Sequence, residues 1–382
     1  MASANRPRVT ARPSAGAWVV EPTPSPGPGP YADLTGVSCV RSFCAAVGYT
    51  TNAATFLQQP LSEMRHSGVW TIAPVPLPSG SVGGSLARVS CTASGFCVAV
   101  GQWVNASFGL SEPLAESWNG SGWVIEPTPL AAGAGTGSLS GVSCSSGRAC
   151  TAVGFGGLMH GAEVALVERW NGSDWSLQAT PGQASWVAVS CPSERDCTAV
   201  GDNGGSDPPA HAGQWNGSSW SLETTSDPNG VVTDVSCTSR DSCTLVGSDQ
   251  STTLAERWNG SSWTTQTTLN PFNPGGDGSQ LRGISCASRR NCTAVGYSEG
   301  TLVEQWNGEQ WSVQPTPTMD TTSSTLGAIS CTRWGPCIAV GTYTEPNSVV
   351  VPLVELRRGG SGHGWWRGGL GRGWRRGGLG RG

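Results

Sequence analysis

One phrase repeats seven times along this chain, and it limits the possible folds more than any other feature. It runs as an apolar residue, two more residues, Val or Ile, Ser, Cys, a short gap, a second Cys, and A-V-G or a close variant. The first cysteines are Cys39, Cys91, Cys144, Cys191, Cys237, Cys286 and Cys331, at successive spacings of 52, 53, 47, 46, 49 and 45 residues. Their partners are Cys44, Cys97, Cys150, Cys197, Cys243, Cys292 and Cys337, which accounts for all 14 cysteines. Every pair reads C-x5-C except the first, which is C-x4-C. A fixed period of this length marks units that bury their apolar faces only against one another.

A second phrase follows each of the first six, cleanest as E-R-W-N-G-S-S-W-T from Glu256 to Thr264. It carries the pairs Trp118/Trp123, Trp170/Trp175, Trp215/Trp220, Trp258/Trp263 and Trp306/Trp311; in the first repeat it has decayed and only Trp70 remains. The unit reads as four strands: L-x-x-V-S-C, C-x-A-V-G, the stretch ending E-R-W, and W-S-V-Q before a P-T-P exit. Asn-Gly between β-formers is a strong hairpin signal, because a type I′ turn needs positive φ at both central residues. A loop of two or of four residues leaves both tryptophans on one hairpin face. Four short strands per 45–53 residues match a propeller blade.

The ends complete the count. W-V-V-E-P-T-P at Trp18 nearly copies W-V-I-E-P-T-P at Trp123, so the chain opens on a lone fourth strand, while the seventh repeat lacks one. The expected fold is all-β, a closed seven-bladed β-propeller over residues 17–356. Val19 and Val20 are expected beside the strand near Val349–Glu355, removing two exposed edges. Residues 1–16 and 357–382 are expected to be disordered.

The order of V-S-C-x5-C-x-A-V-G, variable loop, W-N-G-x-x-W and P-T-P resembles uncharacterised repeat proteins of high-GC actinobacteria, over Trp18 to about Leu356. That resemblance implies a repeat type and no activity. More distantly the layout is similar to kelch repeats, but this chain has one glycine, as at Gly296, where kelch repeats have two.

Each cysteine pair flanks a short turn, where a cross-strand disulfide fits. Seven such bonds with no odd thiol point to an oxidising, extracytoplasmic setting. Two readings compete: reduced cysteines packing as small hydrophobes in a cytoplasmic protein, and zinc binding, for which no histidine motif is at hand. No signal peptide is visible in Met1–Pro13, so the export reading requires a misassigned or truncated start.

The 22 basic residues are all arginine. Seven lie between Arg357 and Arg381, where no acid occurs, so the rest of the chain is acidic and poorly suited to nucleic acid. The Arg/Gly tail reads as a frameshift product of a GC-rich gene, with an RNA-touching tract as the competing reading. No apolar run is long enough for a transmembrane helix.

Chemistry is sparse. The acids before the tryptophan hairpins, Glu63, Glu116, Glu168, Glu256, Glu304 and Glu355 with Gln214 as the exception, read as structural partners; a cation-binding ring is the sharper alternative. His66, His160, His211 and His363 show no metal spacing, and no catalytic string appears. Glu163, Asp202 and Asp207 are loop carboxylates available for glycoside chemistry. Loops at Trp103–Phe108, Phe155–Glu163 and Asp202–His211 vary most, and exposed loops on a rigid scaffold carry specificity. Asn119, Asn171, Asn216 and Asn259 match glycosylation sequons but read as turn residues. No cofactor or metal is expected. The expected function is a non-enzymatic, monomeric scaffold whose loops take a protein or carbohydrate ligand; the alternative is a carbohydrate-active hydrolase or lyase with carboxylates at the channel.

Overall fold

The computed structural model describes residues 16–24, 26–27, 31–92, 95–130, 133–158, 163–180, 185–202, 210–227, 229–271, 278–319, 321, 323–333 and 335–357. Among them, twenty-eight strands form seven four-stranded antiparallel sheets. Blade one comprises Ala32–Val40, Phe43–Thr51, Gln58–His66 and Val69–Ile72, from the inner strand outward. Each inner strand touches the next, and the first touches the seventh, Ser323–Cys331. The sheets therefore close into a seven-bladed propeller. The expected tail and the first fifteen residues lie outside the described residues, as do His160, Asp207 and His363.

Strand direction gives the ring two distinct faces. Inner strands run toward the inter-cysteine turns, so those turns and the W-N-G hairpins share one face, here the cysteine face. Loops between second and third strands, and the exits to the next blade, share the opposite loop face.

The repeated residues now have physical reasons. Every inner strand carries a β-bulge after its apolar residue, at the first x of L-x-x-V-S-C. Opposite it sits the glycine of A-V-G: a Cβ on Gly101 would lie 2.0 Å from the Ser85 carbonyl oxygen, and one on Gly296 1.9 Å from that of Gln280. No side chain fits there. The serine clasps neighbouring blades. Ser38 Oγ accepts the Cys91 N–H at 2.9 Å, and the same bond recurs around the ring until Ser330 accepts from Cys39 at 3.0 Å. Each such bond contributes about 1 kcal/mol net.

In the tryptophan hairpins the four-residue loop forms. Trp118 and Trp123 stand directly opposite each other, with ring centroids 5.6 Å apart. Only the glycine takes positive φ, from 96° at Gly120 to 105° at Gly172. The asparagine stays outside the left-handed region because its Oδ1 closes the loop, accepting the N–H groups of Ser121 and Gly122 in the first complete copy.

The apolar core lies between blades. Leu34, Ala46 and Leu61 of blade one pack with Ile338, Val340 and Leu356 of blade seven, an interface that exists only in a closed ring. Trp18–Val20 supplies the missing outer strand of blade seven, pairing Trp18 with Arg357, Val19 with Leu356 and Val20 with Glu355. Arg357, assigned to the tail from sequence, is the last residue of the strand Val350–Arg357. It replaces the first tryptophan of the hairpin phrase, which hid it from pattern matching. The decayed copy in blade one serves the closure: Arg65, also in that tryptophan position, donates to both Glu21 oxygens at 2.8 and 2.9 Å, and the Trp70 indole donates to Glu21 at 2.9 Å. Each cysteine pair is joined across its turn, with Cα atoms 3.9–4.1 Å apart.

Candidate functional site

In a ring of repeats, a dedicated site has to be built from departures. The second x of L-x-x-V-S-C is Gly or Ala in five blades, because adjacent inner strands meet there: a Cβ on Gly36 would sit 2.9 Å from Arg88 Cα, and one on Gly283 2.8 Å from Ala328 Cα. Blades two and five break this rule with Arg88 and Asp234. Blade six places Arg282 at the bulge, and blade one has Asp33 just before its leucine.

These departures converge on the central channel. A cavity of about 300 Å³ is lined by Asp33, Thr35, Arg88, Thr233, Gln280 and Arg282, with inner-strand residues of blade seven. Arg88 donates through Nη1 to the Thr35 carbonyl in blade one and to that of Ala87. Arg282 donates through Nε to Gln280 at 3.2 Å and lies 4.8 Å over the Tyr297 ring. Gln280 in turn donates to Ser248 at 3.2 Å. Both guanidinium groups are thus held while retaining free N–H edges.

The two aspartates differ in role. Asp234 is half-buried and accepts from the Ile284 and Val235 amides at 2.8 and 2.9 Å, tying blade five to blade six. Burial raises its pKa, and the charge of Arg88 opposes the rise. Asp33 faces the cavity; burial raises it too, with Arg282, a hydrogen bond from Tyr31, and Arg88 pulling it back. Tyr31 stacks on Tyr49 with centroids 5.6 Å apart, and burial pushes both phenols above the usual tyrosine range. They are donors at neutral pH. Among the described residues, the cavity lining holds two guanidinium groups and one carboxylate, Asp33.

The glutamates do not form a ring around the channel. Each lies between blades, facing the exit segment of the preceding one. Blade four requires a correction: strand register puts Gly213, not Gln214, opposite Ala199 at the glutamate position. A Cβ on Gly213 would lie 2.7 Å from the Trp186 ring, and that buried indole, standing where other blades have Leu or Val, fills the missing carboxyl's space.

The exit sequence sets each carboxyl's state. Six residues after the second tryptophan position stand Ser226 and Leu269 in two blades, whose amides donate to Glu256 and Glu304; Asp227 also donates to Glu256. In front of Glu63, Glu116, Glu168 and Glu355 the same position is Pro24, Pro76, Pro129 and Pro317, which have no N–H. Neither oxygen of Glu63, Glu116 or Glu168 has a hydrogen-bond partner, and Glu355 has only the Thr301 side chain nearby as a donor. Burial accordingly raises them to about 8, Glu304 to about 7, and Glu256 by less. Glu63, Glu116, Glu168 and Glu355 are neutral acids in the folded ring below about pH 8.

The remaining candidates are structural by geometry. The hairpin tryptophans are buried, leaving no indole face open to ligand. His66 packs on Phe43 and His211 on Trp186. Glu163 accepts a hydrogen bond from Ser185. The Asp202 side chain lies outside the described residues. Among the described residues no three His, Cys, Asp or Glu side chains converge as metal ligands, and no helix is long and apolar enough to cross a membrane.

Fold and cavity together define a seven-bladed, disulfide-bonded propeller with an asymmetric polar channel mouth. Solved structures share the fold at low identity. YCF48 bound to D1 peptide is 12% identical with a TM-score of 0.56, over 90% of this chain and 96% of that one. A PL25 ulvan lyase bound to -[GlcA(1-4)Rha3S]- is 11% identical with a TM-score of 0.56, over 85% and 91%. The GH74 xyloglucanase from Xanthomonas campestris is 12% identical with a TM-score of 0.55; the match covers 87% of this chain and 55% of the enzyme. No protein-family model matches the sequence, and no curated protein does.

Proposed function

We propose that this protein is a non-enzymatic binding propeller whose loop face and channel mouth take a segment of a protein or carbohydrate ligand. The observation that carries this reading is the convergence of Asp33, Arg88 and Arg282, three departures from the repeat, on one cavity. Pre-positioned guanidinium groups beside a tyrosine stack suit recognition of a polar chain bearing acidic or amide groups. The alternative, a carbohydrate-active hydrolase or lyase, needs paired acid and base groups, and phenols raised above their usual range stay protonated and do not serve as bases at neutral pH. Similar propellers occur on both sides of this choice, in a peptide complex and in a lyase complex with an acidic glycan. The seven disulfides support an extracytoplasmic setting for a monomeric scaffold of the actinobacterial repeat type.

A glycan and peptide array probed with the native protein tests the reading. The expected result is a ligand class whose binding falls about tenfold or more in Arg282→Ala, equal to at least ~1.4 kcal/mol. Equal binding by Arg282→Ala and Asp33→Asn would contradict it. Release of new reducing ends or unsaturated sugars during incubation would favour the enzyme.

A further inference from the structure

A second cavity lies on the opposite face, where the repeat breaks in another way. In two junctions the first hairpin tryptophan fills the cleft between blades under an arginine of the preceding blade. Arg169 lies 4.8 Å over Trp215 between blades three and four, and Arg257 5.3 Å over Trp306 between blades five and six. Between blades six and seven both partners change. Gln305 replaces the arginine, and Arg357 replaces the tryptophan. The indole's volume is lost, and a cleft of about 270 Å³ opens, lined by Asn291, Thr293, Gln305, Thr332, Arg333 and Arg357 among others.

We propose that this cleft is an oxyanion site, taking one carboxylate, sulfate or phosphate group. Among the described residues its lining contains two arginines and no acid. Arg357 is held in place, donating through Nε to the Gly16 carbonyl at 3.2 Å and through Nη1 to Gln305 at 3.1 Å. Gln305 donates to Asn291 Oδ1 at 3.3 Å, which turns the Asn291 amide N–H groups into the remaining donors of that side chain. A fixed guanidinium with its Nη2 donors uncommitted, an amide beside it and the positive charge of a second arginine form a donor set suited to an oxyanion. The volume falls just below the ~300–1,000 Å³ of pockets for drug-sized molecules, so the cleft accepts one small acidic group and not a folded chain. The adjoining inter-cysteine turn, between Cys286 and Cys292, adds Arg289 and Arg290 and no acid. The site is independent of the channel mouth, which opens on the loop face.

Calorimetric titration of the native protein with sulfate, phosphate and glucuronate at fixed ionic strength tests this. Binding of at least one anion is expected, and the ranking separates tetrahedral from planar groups. Arg357→Trp restores the repeat residue, refills the cleft, and is expected to weaken binding about tenfold or more. Arg333→Gln, which leaves Arg357 and the strand pairing untouched, is expected to do the same should Arg357→Trp fold poorly. Arg240→Gln, on the same face but remote, should change affinity less than about twofold. Absence of anion binding, undiminished binding by Arg357→Trp or Arg333→Gln, or equal losses in all three variants would overturn the proposal, the last by showing a face-wide charge effect.

Discussion

Removal of residues 1–21 is expected to leave a chain that no longer folds to a stable monomer. The deletion takes away Trp18, which is 4% exposed, and the outer strand of blade seven. Losing a buried tryptophan side chain costs about 3–5 kcal/mol. It also strips Glu21 from Arg65, whose side chain is 11% exposed, and leaving one partner of a buried pair alone costs about 3–5 kcal/mol. Together these approach the ~5–15 kcal/mol that holds a typical domain. The edge of Val350–Arg357 would then be open to pairing with other chains. Chemical denaturation and size-exclusion chromatography measure both effects. The expected result is aggregation, or a Tm lower by about 10 °C. Glu21→Gln should fall between wild type and the deletion, since it keeps the strand and loses only the charge.

The second large effect is on pH dependence. Glu63, Glu116, Glu168 and Glu355 are raised to about 8 in the folded ring, against an ordinary glutamate value of 4.5. Between these values the folded protein holds protons that the unfolded chain has released. Rising pH therefore favours unfolding through that window, and the contribution of these groups to stability is lost between about pH 4.5 and 8. Water entry around an ionised carboxyl trims the full linkage value. A fall in Tm on the order of 10 °C between pH 5 and pH 8.5 is expected. Glu63→Gln keeps the shape without the titration, so it should stabilise the protein at pH 8.5 and have little effect at pH 5. A Tm that rises steadily from pH 5 to pH 8.5 would contradict the neutral assignment.

The ring itself was legible because every blade spells the same contacts. Cysteine spacing gave the period, the tryptophan pairs gave the hairpins, and the W-V-V-E-P-T-P copy at Trp18 gave the closure. The channel site is not marked by loops of unusual length. Its signal was present in the aligned L-x-x-V-S-C positions, where Arg88 and Asp234 interrupt a column of Gly and Ala. In blade four the glutamate register is masked by Gln214, the polar neighbour of Trp215. Counting two residues back from the tryptophan gives Gly213, and Trp186 compensates from a distant strand. That exchange of volume between strands is a packing event and leaves no local pattern. The cleft at Arg357 was hidden for a related reason: a cavity made by a missing tryptophan is visible only once its neighbours are in place.

Hydrogen exchange measured by mass spectrometry on peptides covering Ala17–Glu21 tests the closed ring most directly. The Glu21 amide donates to the Val354 carbonyl at 2.8 Å, within a strand pairing that joins the two ends of the fold. The account predicts protection of that segment matching Val350–Arg357, lost together with it as denaturant is raised. Full exchange of Ala17–Glu21 within seconds, while Val350–Arg357 stays protected, would show a ring that is not closed by this strand.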